Sequence, residues 1–218
     1  MKRKILFLGI VLAGASFMFN TMAQDSFALG IKAGYNSSKF RTDNAKAIVA
    51  GNENYTFQNA KDEAEGGLLF GAFARIKLVN NLSFQPELLY AKKGGETVVT
   101  TNEGGTITYG QPYNTWDIPL LAHLRLIDLK VFNIYGVAGP MASLTANEDE
   151  KWYSELNVDS FSAKRETAQW SFQAGGGVEF GSFNVDVRYS WGLNEANKKL
   201  EQVNNNLTFS IAYKILDF

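Results

Sequence analysis

The sequence has no cysteine and a single histidine, His123, among 218 residues. The first absence excludes a disulfide framework, a cysteine zinc site, a cysteine nucleophile and a lipidated cysteine anchor. The second leaves no material for a multi-histidine metal centre. No charge of one sign prevails: 21 basic and 22 acidic side chains give a net of −1, so there is no electrostatic case for nucleic acid. Proline is scarce, at 4 residues. Helical periodicity is scarce too, and after residue 23 no apolar run approaches the roughly 18 residues of a membrane-spanning helix. What is present is glycine, at 20 residues, and aromatic side chains, at 13%. Few prolines with many aromatics favour β-structure. The remaining composition, 45% hydrophobic and 20% charged, suits a folded domain and excludes a disordered, collagen-like or coiled-coil chain.

The one long apolar run stands at the start. Met1–Lys4 is basic, residues 5–19 are apolar, and Thr21 and Ala23 place small residues before Gln24. This pattern reads as a secretory signal peptide over residues 1–23, cleaved after Ala23, with residues 24–218 as the mature domain. At 15 residues the apolar run is short for a bilayer crossing. The address implies an envelope or secreted protein of a Gram-negative bacterium.

The mature chain is dominated by period-two alternation. Eight segments carry it: 27–40, 67–79, 82–93, 113–127, 130–143, 168–180, 183–193 and 206–218. In the seventh, Phe183, Val185, Val187, Tyr189 and Trp191 alternate with Asn184, Asp186, Arg188 and Ser190. The fifth is mixed on both faces and cannot be oriented. Asn80-Asn81, Asp128-Leu129 and Gly181-Ser182 give turns of about two residues, while the other four connections are long loops of roughly 26, 19, 24 and 12 residues. Short turns alternating with long loops predict an all-β, eight-stranded antiparallel up-and-down transmembrane β-barrel with its loops outward. Phe218 does not continue the Ile211–Tyr213–Ile215 face, so a bulge or an inward-turned last residue is needed.

Alternation fits two barrels: a soluble one with apolar residues around a ligand, and a membrane one with apolar residues against lipid. The polar face carries Lys32, Arg75, Glu87, Asp117, Arg125, Glu179, Asp186, Arg188 and Lys214. Opposite charges at mid-strand suit a narrow lumen in which each finds a partner. With loops outward, the upper strand ends place Tyr35, Tyr90, Trp116, Trp170, Tyr189 and Trp191 on the apolar face. The lower ends place Phe27, Phe84, Phe180, Phe183 and Phe132 there. Sorting by height into an upper Tyr/Trp girdle and a lower Phe girdle favours the outer membrane.

The chain resembles the PorT-like outer-membrane β-barrel family. The resemblance is carried best by Gln85-Pro86-Glu87-Leu88-Leu89-Tyr90, Asp117-Ile118-Pro119-Leu120-Leu121 and Asp186-Val187-Arg188-Tyr189. It implies an eight-stranded barrel in the cell outer membrane. The name-giving member takes part in type IX secretion, but the shared motifs are barrel-building ones.

Candidate chemistry is sparse. His123 shares its face with Asp117 and Arg125, which leaves a lipid-modifying enzyme as an alternative. Glu87, Arg75, Arg125, Asp186 and Arg188 form an expected interior charge cluster, a structural plug more readily than an ion path. Gly175-Gly176-Gly177 lies mid-strand and lacks the helix and Lys-Ser/Thr of a phosphate loop. Residues 97–101 and 106–109 flank a turn signal and predict a hairpin above the membrane, with edges open to a partner strand. Three of the four loops are acidic, and Glu148-Asp149-Glu150 with Asp159 is a solvated cluster without EF-hand spacing. The expectation is a monomeric, non-enzymatic barrel with no cofactor. It contacts outer-membrane lipid and a protein partner at its outer loops, as an accessory to secretion or uptake. A soluble periplasmic ligand-binding barrel and a narrow channel are further alternatives.

Overall fold

Eleven strands run in chain order: β1 Phe27–Thr42, β2 Phe57–Val79, β3 Leu82–Lys93, β4 Gly95–Thr101, β5 Thr106–Gly110, β6 Tyr113–Asp128, β7 Asn133–Glu148, β8 Lys151–Ser154, β9 Ala168–Phe180, β10 Phe183–Gly192 and β11 Gln202–Asp217. The computed structural model describes residues 27–42, 57–102, 105–110, 112–129, 131–148, 151–154, 168–194 and 202–218. The expected signal peptide lies outside them.

Eight of the strands close on themselves. Each pairs antiparallel with its neighbours in the order β1-β11-β10-β9-β7-β6-β3-β2, and β1 also pairs with β2. Closure leaves no barrel edge unpaired. The pleat then assigns faces. Leu68, Phe70 and Ile31 point outward and are 71%, 59% and 53% exposed, whereas Lys32 and Glu87 point inward at 4% and 3%. Apolar outside and charged inside is the reverse of a soluble ligand-binding barrel, and that alternative is overturned.

Gly181, at φ 56°, turns β9 into β10 in two residues, a conformation that costs glycine nothing. The turn after β6 differs from the expectation. It spans Leu129 to Phe132, closed by the Leu129 amide donating to the Phe132 carbonyl at 3.1 Å. The fifth barrel strand therefore starts at Asn133 rather than residue 130. Its orientation is now plain: Tyr135, Val137 and Met141 point inward and are buried, while Leu144 points outward. Leu121, Tyr135 and Val137 pack as one apolar cluster on this wall of the lumen. At the other end of the chain, the pairing shifts between Leu29↔Leu216 and Gly30↔Lys214. This bulge re-aims the last residues, so that Leu216 and Phe218 are both exposed. Phe27 and Phe218 still exchange two backbone hydrogen bonds, at 2.9 and 3.2 Å.

Above the girdle the chain builds a second sheet. Residues Phe57–Ala64 of β2 continue past the barrel and pair with β4. β4 pairs with β5, and β5 with β8. The expected hairpin is therefore there, but its edges are not open: β2 takes one and β8 the other. Val99 and Ile107 face each other in register and are fully buried, a small apolar core for this crown.

Candidate functional site

The lumen is the place where the alternating polar residues converge. At mid-height β3 supplies Glu87, β10 supplies Asp186 and Arg188, and β1 supplies Lys32. Arg188 grips Glu87 through both guanidinium nitrogens, Nη1 to Oε2 at 2.9 Å and Nη2 to Oε1 at 3.0 Å. Such a two-pronged pair fixes both side chains. Nη2 also donates to Asp186 Oδ2 at 2.8 Å. Lys32 Nζ bridges the two carboxylates, 3.0 Å from Glu87 and 3.2 Å from Asp186. Tyr135 donates its hydroxyl to Asp186 at 3.1 Å, and Ser210 donates to the other Asp186 oxygen. Two cations meet two anions, and all four side chains are at most 2% exposed.

Glycine makes room for this cluster. An added methyl at Gly175 would sit 2.9 Å from Arg188 Cγ, and one at Gly177 would sit 2.7 Å from both Asp186 Cβ and Tyr135 Oη. The glycine run is thus a recess for the arginine and tyrosine side chains.

Below the plug, Arg75 pairs with Glu179, and Lys214 bridges Glu179 at 3.1 Å to Asp217. Gln85 joins the two levels, accepting from Arg75 Nε at 2.8 Å and donating to Glu87 at 2.6 Å. Beside them lies a cavity of about 140 Å³ that opens to the periplasm and is lined by Arg75, Ser83, His123, Glu179 and Lys214. His123 stacks on Tyr135 with ring centroids 4.4 Å apart, and its Nε2 has no hydrogen-bond partner among the described residues. Asp117 lies at the opposite end of the lumen, six residues and about 20 Å along β6. There it pairs with Lys93 at 2.7 Å, beside Ser143. His123 and Asp117 thus share the inward face, as expected, but stand at opposite ends of the lumen.

Arg125 lines the periplasmic mouth of the same cavity and takes no part in the sealed network. Its side chain is 40% exposed and pairs with Asp128 at the periplasmic turn, at 3.2 Å. β6 ends at Asp128, and the ladder is irregular only beyond Arg125, which still pairs in register with inward Tyr135, so this arginine stays at the rim of the lumen. The residue missing from the expectation is Lys93. It shares inward parity with Glu87 on β3, which was the available signal. The acidic Glu148–Glu150 run and Asp159 lie outside the described side chains.

On the lipid side, Tyr90 meets Trp116 at 5.1 Å and Tyr189 meets Trp191 at 4.9 Å, centroid to centroid. Tyr35, Trp116, Trp170 and Trp191 are all exposed outward. Sorting by height is looser than expected. Phe70 and Phe172 pack on Tyr90 and Trp191 at the upper level, and Tyr213 packs on Phe183 at the lower. Among the described side chains tryptophan alone keeps to the upper belt. Its indole N–H gains from the wet interface, whereas phenylalanine has no polar end to place there.

A closed eight-stranded barrel with an apolar exterior and a salt-bridged lumen is a transmembrane barrel of the bacterial outer-membrane class. The family model of the outer membrane protein beta-barrel domain matches residues 22–197, and the chain belongs to that family. The protein accordingly resides in the outer membrane. No curated protein matches the sequence. Among solved structures it is similar to neisserial surface protein A, with 12% identity, 86% of this chain and 97% of that one covered, and a TM-score of 0.42. It is similar to OprG of Pseudomonas aeruginosa, with 12% identity, 88% and 97% covered, and a TM-score of 0.42. It is also similar to Ail, the attachment invasion locus protein of Yersinia pestis, with 12% identity, 88% and 100% covered, and a TM-score of 0.39. Likeness at this level says nothing of a shared role.

Proposed function

We propose that this barrel is a monomeric, non-enzymatic interaction protein that presents a β-crown above the outer membrane to a protein partner, as an accessory to secretion or uptake. The observation behind this reading is the crown itself. A 23-residue β2 carries the sheet well past the barrel, where it is braced by β4, β5 and β8. A barrel that served only as an anchor needs no such sheet. A PorT-like kinship is part of the same proposal. The three motifs behind it supply Gln85, Glu87, Asp117, Asp186 and Arg188 to the lumen, so they speak for a shared barrel interior and not for a shared partner.

Photo-crosslinking in cells tests the reading. Crosslinkers at Gln58 and Glu63, exposed on the crown, are expected to trap the same envelope protein, and one at lipid-facing Phe183 is expected to trap none. Adducts no different from those at Phe183 would overturn it. The enzyme alternative is tested by His123→Gln, for which unchanged envelope lipid chemistry is expected.

A further inference from the structure

The seam between β1 and β2 parts above the girdle. Their pairing stops at Ser38↔Glu65, while β1 continues along β11 to Thr42↔Gln202 and β2 crosses onto β4. The parting leaves an outward-facing cleft of about 630 Å³ lined by Lys39, Arg41, Lys61, Asp62, Tyr189 and Asn205, among others. We propose that this cleft binds the phosphorylated headgroup of an outer-leaflet lipid.

The lipid-facing parity of β1 carries the case. Leu29, Ile31, Ala33 and Tyr35 face the bilayer, and the next positions on that same face are Ser37, Lys39 and Arg41. At a strand rise near 3.4 Å, Lys39 stands about 14 Å along β1 from Tyr35, or roughly 10 Å higher on a strand tilted by about 40°. That is the headgroup level when Tyr35 marks the edge of the hydrocarbon. The cleft has the polarity of a lipid. Leu207 and the Tyr189 ring line it from β11 and β10, and the cations Lys39 and Arg41 line it from β1. Its one carboxylate, Asp62, accepts a hydrogen bond from Thr97 Oγ1 at 2.8 Å. Lys61 pairs with Glu63 at 3.1 Å on the opposite face of β2 from Asp62, so the donors within the cleft are Lys39 and Arg41. A phosphate offers several charged oxygens to such donors at once. The cations are also local. The outward residues just above the belt on β7 and β9 are Ala146 and Ala168, and Lys92 on β3 faces Glu65 at 3.6 Å.

The experiment uses the folded protein in neutral detergent micelles, titrated with diphosphorylated lipid A and followed by native mass spectrometry. Lipid retention by the unaltered protein is expected to fall on the order of 20-fold in the Lys39→Gln/Arg41→Gln double variant, from two cations at the membrane surface. It is expected to be unchanged by Lys77→Gln at the periplasmic mouth. Circular dichroism and heat-shifted gel mobility check that each variant is folded. Equal retention of dephosphorylated lipid A, or equal retention by the double variant, would overturn the proposal. Displacement of the lipid by millimolar inorganic phosphate would assign the cleft to free phosphate and overturn the lipid assignment.

Discussion

Two of the ionic clusters in the lumen have similar composition and opposite settings. The mid-height cluster of Lys32, Glu87, Asp186 and Arg188 is sealed, and each charge has at least two partners within the set. The periplasmic cluster of Arg75, Glu179, Lys214 and Asp217 borders a cavity open to water, and Asp217 is 56% exposed. A charge in the first can be satisfied only by its partners. A charge in the second has water as a substitute. The same pair of residues is therefore worth different amounts at the two heights. What differs is the cost of leaving one member alone.

Breaking the sealed cluster gives the largest effect. Arg188→Met leaves Glu87 and Asp186 sharing Lys32, and a loss of about 3–5 kcal/mol in urea unfolding from micelles is expected. Replacing all four charges with apolar side chains of similar volume is expected to recover most of that loss, because no charge is then stranded. A single variant costing less than about 1 kcal/mol would erase the distinction between the two clusters.

Much of this was legible in the residues. Period-two alternation and the short-turn, long-loop rhythm specify the barrel, because apolar side chains recur on the outward face while the mid-strand charges fall on the inward one. Charge parity marks Glu87, Asp186 and Arg188. Two things resist that reading. The β7 wall is apolar on both faces, since Tyr135, Val137 and Met141 pack inside against Leu121 while Leu144 faces out, so no alternation remains to be seen. Irregular registers defeat parity in the same way. The bulge at Leu216 re-aims Phe218, and near the end of β6 inward parity brings Arg125 only to the rim, where it pairs with Asp128. The crown's pairing of β2 with β4 joins distant segments, and no local pattern announces it.

The glycines next to the sealed cluster give an intermediate effect. Gly175→Ala would press on Arg188 and on the Val187 carbonyl, and Gly176→Ala meets only the Tyr135 carbonyl, at 3.1 Å. A loss of about 1–3 kcal/mol is expected for the first and less for the second, measured in the same unfolding assay. Equal losses would mean that the recess is not what these positions provide.

The open cluster is expected to yield less. Arg75→Gln leaves Glu179 with Lys214 and a cavity open to solvent beside it, for an expected loss of about 1–2 kcal/mol. A loss matching that of Arg188→Met would show that the mouth is as dry as the plug.

Arg125→Gln sets the lower bound. Its partner Asp128 is 65% exposed and the pair spans a single turn, so water replaces it readily. A change within about 0.5 kcal/mol is expected. Added salt separates the cases further. The Arg125 contribution should fade as ionic strength rises through the physiological range, while that of Arg188 should not, because ions screen exposed pairs far more than buried ones. Should the Arg188 contribution fade as well, water and ions would be reaching mid-lumen. The cluster there would then be a loose gate rather than a seal.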